Sequence, residues 1–114
     1  MKTLTTDQVA ALQEREPDFA FINVLPAETY AEAHIPGSRN IPVESDDFVR
    51  RVEAVVPNKD HKVVVYCASR QCNASPKAAE KLEEAGFSEV YDYEAGTEAW
   101  KNAGLPIESG ENAA

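Results

Sequence analysis

Lys62-Val-Val-Val-Tyr66 runs directly into Cys67, a polar stretch from Ala68 to Ala74 follows, and Ser75-Pro76 comes next. The β-branched and apolar residues of the first segment suit a buried strand. Serine followed by proline reads as a helix start, with Ser75 as N-cap and Pro76 in the first turn. Ala78, Ala79, Leu82 and Ala85 then recur at helical spacing as a small, closely packing face, and Gly86 closes the helix. The order strand, loop, helix is the unit of a parallel sheet, and ligands of open parallel sheets collect beyond the carboxyl ends of strands. Cys67 stands at such an end.

Similar units lie on either side. Upstream, Thr5 or Thr6 caps a helix to about Arg15, with Thr5 and Gln8 at capping-box spacing and Val9 and Leu12 on one face. Phe19-Ala-Phe-Ile-Asn-Val24 is a near-continuous apolar run, which suits a strand covered on both faces. A short helix is expected from Ala27 to Ala33, and His34 to Pro42, with two prolines and a glycine, must be irregular or extended. Phe48, Val49, Val52, Val55 and Val56 place a helix within Asp46 to Val56, ended by Pro57. Downstream, Phe87 to Tyr93 supplies a strand, and Thr97 to Ala103 a helix with Trp100 facing inward. Strands alternating with helices predict an α/β domain with a mostly parallel sheet. The domain is expected to span residues 1–107, and residues 108–114 read as a disordered tail with little to bury.

Composition narrows the function. The chain has 114 residues, 43% of them apolar, and a formal net charge of −9. So acidic a chain argues against binding nucleic acid or an anionic membrane. No stretch approaches the roughly 20 apolar residues that span a bilayer. The N-terminus turns polar after four residues, unlike a signal peptide, so a cytoplasmic location is expected. In a reducing cytosol, two cysteines with four residues between them, Cys67 and Cys72, are more often redox-active, catalytic or incidental than structural. With His34 and His61 they fit no zinc-ligand spacing, and no metal is expected.

Cys67 is the candidate nucleophile. A following helix N-terminus offers free N–H groups and positive dipole character, which lower a thiol pKa and favour the reactive thiolate. Arg70 and Lys77 flank the loop, and no acid lies between Cys67 and Lys77. The plainer reading, a small buried hydrophobe at a strand end, stays open on these residues alone.

The run Val63-Val-Val-Tyr-Cys67, then Ser75, Ala78-Ala79, Leu82, Gly86-Phe87, Val90, Tyr93, Gly96 and Trp100, resembles the second half of a rhodanese domain. Tyr30, His34-Ile-Pro-Gly-Ser38 and Asn40-Ile-Pro42 resemble the first half, so the likeness covers residues 3–107. It implies a rhodanese-like α/β fold, a five-stranded parallel sheet with helices on both faces. It also implies a sulfurtransferase in which Cys67 takes a sulfane sulfur from a donor anion such as thiosulfate. The sulfur would be held as a persulfide and passed to a thiophilic acceptor, a thiol or a protein. The loop, Ala68, Ser69, Arg70, Gln71, Cys72 and Asn73, would bind the substrate through backbone N–H groups. No cofactor is required, and a monomer is expected.

The sequence departs from that family at the site. Ser75 lies eight positions after Cys67, about two more than usual, and Cys72 stands where an arginine often does. Asn23 and Leu25 replace the Asp and Arg of the strand-end ion pair. Cys72 is a candidate resolving thiol for an oxidised or persulfidated Cys67, with filling of the loop's underside as the alternative. A non-catalytic or redox-regulated interaction domain on the same fold is the competing function. A phosphatase would need an arginine six positions after Cys67, where Asn73 stands.

Overall fold

Along Val63–Tyr66, alternate side chains enter two separate cores, as the two-residue period of a strand requires. The computed structural model describes residues 2–16 and 18–110. Its elements follow as β1 (Lys2–Thr3), α1 (Thr6–Arg15), β2 (Ala20–Asn23), α2 (Ala27–Glu32) and β3 (Arg39–Asn40). Then come α3 (Phe48–Ala54), β4 (Val63–Tyr66), α4 (Ala74–Glu84), β5 (Val90–Tyr93) and α5 (Gly96–Asn102). The five strands form one sheet in the order β1-β5-β4-β2-β3, and every pairing is parallel. β4 and β2 are flanked by strands on both edges and buried throughout, which explains their near-continuous apolar sequences, Asn23 at the end of β2 being the buried polar exception.

One face packs Ile22, Val63, Val65, Cys67 and Val90 against Phe48 and Val52 of α3 and Ala78, Ala79 and Leu82 of α4. The other packs Phe21, Val64, Tyr66 and Tyr93 against Val9 of α1 and Trp100 of α5. Small alanines on α4 bring that helix close to the sheet end that carries Cys67. Thr5 caps α1 as its spacing predicts, in a reciprocal capping box with Gln8.

Three features differ from the sequence reading. The helix α4 begins at Ala74 with Asn73 in the cap position, so Ser75 and Pro76 lie within its first turn. Proline is compatible there because first-turn N–H groups have no intrahelical acceptor. The third helix is shorter than Asp46 to Val56 at both ends. Residues 108–110, read as the start of a tail, are held to the domain. Glu108 and His34 exchange two backbone hydrogen bonds of 2.9 Å, and the Gly110 N–H donates to the Ala31 carbonyl at 2.8 Å. The extended backbone after the α2 helix leaves the His34 N–H and C=O unpaired by helix, and Glu108 satisfies both. Residues 111–114 lie outside the described residues. No helix among the described residues is long and apolar enough to cross a membrane.

Candidate active site

The turn His34-Ile-Pro-Gly-Ser38 is tied to the end of β4 through one phenol. Tyr66 accepts a hydrogen bond from the Ile35 N–H at 3.1 Å, and its hydroxyl lies 2.7 Å from Ser38 Oγ. Ser38 donates to the Ile35 carbonyl at 2.7 Å, and the Tyr30 hydroxyl donates to the Ser38 carbonyl at 2.7 Å. His34 stacks on Tyr30 with ring centroids 3.9 Å apart, and its Nδ1 lies 2.8 Å from the Tyr30 carbonyl. The residue after Tyr66 is Cys67, so this buried network fixes the backbone from which the thiol projects.

On the adjacent strand end, hydrogen bonds stand where the ion pair is missing. Asn23 Oδ1 accepts from the Leu25 N–H at 3.0 Å. Asn40 Nδ2 donates to the carbonyls of Asn23 and Leu25 at 3.2 and 2.8 Å. Neutral amides thus shape this turn without a charged pair.

Helix α5 anchors the other side. The N–H groups of Thr97 and Glu98 donate to the carbonyls of Cys67 and Ala68 at 3.1 and 2.9 Å. Gly96 makes that approach feasible: its φ is +65°, and a Cβ there would run into the Cys67 carbonyl oxygen.

The Cys67 side chain is completely buried. Its Sγ lies 3.5 Å from Ser75 Oγ, 3.7 Å from the Cys72 carbonyl and 4.0 Å from the Ser69 carbonyl. Both cysteines are free thiols. Burial pushes the Cys67 pKa up from 9.0 to about 11, and the Cys72 thiol pushes in the same direction, while the hydroxyl and backbone N–H of Ser75 oppose both. The depressed pKa expected from the helix start is therefore corrected: desolvation outweighs the donors of the first turn. The loop also turns two carbonyls toward the sulfur, so in this state it is arranged around a neutral thiol.

The remaining loop residues separate. Arg70, 73% exposed, reaches outward to Glu94 at 3.7 Å and is not drawn to the thiol. Ser69 donates to Gln71 Oε1 at 3.1 Å, and both side chains are at the surface. Cys72 is partly buried, packed against the α4-side core, and its N–H closes a turn onto the Ser69 carbonyl at 3.1 Å. Asn73 occupies the helix cap position without a side-chain capping bond.

Three residues beyond those picked out for the loop shape the site: Ser75, Gly96 and Asp92. Asp92 is fully buried in β5, and neither carboxyl oxygen has a hydrogen-bond partner among the described residues. Its pKa is raised by desolvation, lowered by the nearby Ser75 hydroxyl and raised by Glu94. A lone acid at an inward position of Val90-Tyr-Asp-Tyr93, on the same strand face as Val90, is the signal that could have exposed it.

The sheet carries its cysteine at the carboxyl end of the central strand β4, beside the first turn of α4. Residues 5–103 fit the model of the rhodanese-like domain. The chain belongs to the rhodanese-like family. A thiosulfate sulfurtransferase GlpE of Pseudomonas fluorescens is 32% identical over 111 residues, covering 96% of this chain and 93% of that one. An HTH-type transcriptional regulator, Rv0324 of Mycobacterium tuberculosis, is 33% identical over 100 residues, which is 87% of this chain and only 42% of the regulator. Among solved structures, the Alr3790 protein from Anabaena superposes with a TM-score of 0.83 at 29% identity, over 96% of this chain and 83% of that one. Membership and relatives named as thiosulfate sulfurtransferases support sulfurtransferase activity at the level of the family.

Proposed function

We propose that this rhodanese-like domain moves a sulfane sulfur through a persulfide on Cys67, from a thiosulfate-type anion to a thiophilic acceptor. The observation that carries the reading is the placement of Cys67 at the end of β4 with the hydroxyl and N–H of Ser75 turned toward its sulfur. Attack by the Cys67 thiolate on the outer sulfur of thiosulfate forms the S–S bond, breaks the donor's own S–S bond and releases sulfite. A thiolate or cyanide then removes the outer sulfur and regenerates the Cys67 thiolate. Residues 68–73 form the donor site in this reading, and their opening uncovers the thiol, since the closed loop leaves it no exposed surface.

Cys72 adds a second step. Its thiolate attacks the inner sulfur of the Cys67 persulfide, forming a Cys67–Cys72 disulfide and expelling hydrosulfide, and a cellular dithiol then reduces the disulfide. The Cys72 carbonyl lies 3.7 Å from Cys67 Sγ and the Cys72 thiol raises the Cys67 pKa, which supports this role.

Incubation with thiosulfate and cyanide tests the reading. It predicts thiocyanate and an adduct of one sulfur atom on Cys67, both lost in Cys67→Ser. Absence of adduct and product with thiosulfate and with persulfide donors overturns it. In Cys72→Ser the adduct should accumulate and hydrosulfide release with a dithiol should fall; an unchanged adduct lifetime removes the resolving step. The closed thiol and the outward Arg70 favour a second reading, a redox-regulated interaction domain. That reading predicts no turnover with any donor and binding of a protein partner that changes on oxidation.

A further inference from the structure

The segment after α5 returns across the end of α2. The His34 N–H donates to the Glu108 carbonyl and the Glu108 N–H to the His34 carbonyl, each at 2.9 Å, and the Gly110 N–H reaches the Ala31 carbonyl at 2.8 Å. This pairing sets two side chains against each other. His34 Nε2 lies 3.5 Å from Glu108 Oε1, with the imidazole 1% exposed and the carboxylate 50%.

The neighbours of the ring fix where its hydrogen sits. Nδ1 lies 2.8 Å from the Tyr30 carbonyl, which can only accept, so Nδ1 carries a hydrogen. In the neutral ring Nε2 is then a bare lone pair. It is buried without a hydrogen-bond partner among the described residues, and the carboxylate oxygen it faces is an acceptor as well. Two acceptors in contact repel, and a buried polar atom left unpaired is costly. One added proton turns Nε2 into a donor and the contact into a charge-assisted hydrogen bond. The remaining groups around the ring are otherwise engaged. On α2, the Tyr30 ring stacks on His34 while its hydroxyl donates to the Ser38 carbonyl, and its phenol feels the charges of Glu108 and of Arg39 on β3. On β4, the Tyr66 hydroxyl is bonded to Ile35 and Ser38.

We propose that His34 and Glu108 form a proton-operated clasp, which fastens the C-terminal segment onto the 34–38 turn when His34 is protonated and loosens it when His34 is neutral. The proton comes from solvent and returns to it, and only an N–H bond is made or broken. Ile35 and Ser38 of that turn hold Tyr66, the residue before Cys67. The clasp therefore bears on the base of the thiol, whatever chemistry the thiol performs. Its sign follows from the pair. Carboxylates ionise well below the imidazole range, which centres near pH ~6.5. The charge-assisted bond is complete below that range and lost as pH rises through it.

Native-state amide exchange measures the clasp in the intact chain. Protection of the His34, Glu108 and Gly110 N–H groups, corrected for intrinsic rates, is compared at about pH 5.5 and about pH 8. The amides of Val63–Tyr66 serve as reference and show that each variant is folded. Protection of the three N–H groups in the parent, relative to that reference, should be on the order of fivefold greater at the lower pH. That is the scale of one charge-assisted bond discounted for a half-exposed carboxylate. Glu108→Gln should abolish the pH dependence, because an amide donates to the bare Nε2 and accepts from the protonated one. Glu108→Ala should abolish it too, with protection no higher than that of the parent at pH 8. Equal protection of the parent at both pH values overturns the clasp, as does a pH dependence that survives in either variant. A merely structural Glu108 would give protection lowered in Glu108→Ala by one factor at both pH values, which also overturns it.

Discussion

Burial makes Cys67 bind its proton more tightly in the folded protein, with a pKa near 11 against 9.0 for an unperturbed thiol. Stability from this group is therefore complete below pH 9 and is lost as pH rises toward 11, at up to about 1.4 kcal/mol per unit. Urea denaturation between these pH values should show the decline, and Cys67→Ala should flatten it; an equally steep decline in the variant would refute the assignment. Tyr66, whose pKa burial also raises, adds a decline of the same sign that the variant leaves in place. Asp92 behaves likewise at lower pH. Its folded pKa lies above 3.8, so its stability contribution is lost as pH rises past that value. Asp92→Asn should gain stability relative to the parent between about pH 3 and pH 7. A constant difference across that range would mean Asp92 is not buried as described.

At the level of elements, caps and close approaches set the energies. Thr5→Ala removes one half of the capping box and should cost about 1 kcal/mol, read as a lowered urea midpoint with sulfur transfer unchanged. Gly96→Ala forces a side chain into the left-handed region and against the Cys67 carbonyl. It should cost upward of about 2 kcal/mol, and any protein that folds should lose sulfur transfer through displacement of the Cys67 backbone. Retention of both stability and activity would show that α5 does not hold this strand end. The long elements were legible because a strand buried on both faces and an amphipathic helix each leave a repeating apolar pattern. β1 and β3, two residues each with exposed or half-exposed side chains, leave none. The first turn of α4 was misplaced because serine and proline fit several of its positions.

Across the whole molecule, sequence located the strand-end thiol proposed as nucleophile but not its surroundings. Cys67 was legible from strand, loop and helix read in order. Ser75 faces it from α4, and only the packing of that helix across the sheet brings the two together. The segment after α5 shows the same limit, since Glu108 is paired through backbone groups, which carry no sequence signal. Removal of residues 108–114 deletes the three hydrogen bonds to His34 and Ala31 and should cost about 1–3 kcal/mol. Chemical denaturation measures that loss, and an unchanged midpoint would show these bonds contribute nothing.

The ion pair between Arg70 and Glu94 has a kinetic consequence. The loop's single cation is already neutralised, on a chain carrying a net charge of −9. A doubly charged donor therefore approaches a repulsive field, and added electrolyte should accelerate its second-order reaction rather than slow it. Glu94→Gln frees the guanidinium and should shrink that acceleration, whereas an uncharged trisulfide donor should react at a rate indifferent to salt in both proteins.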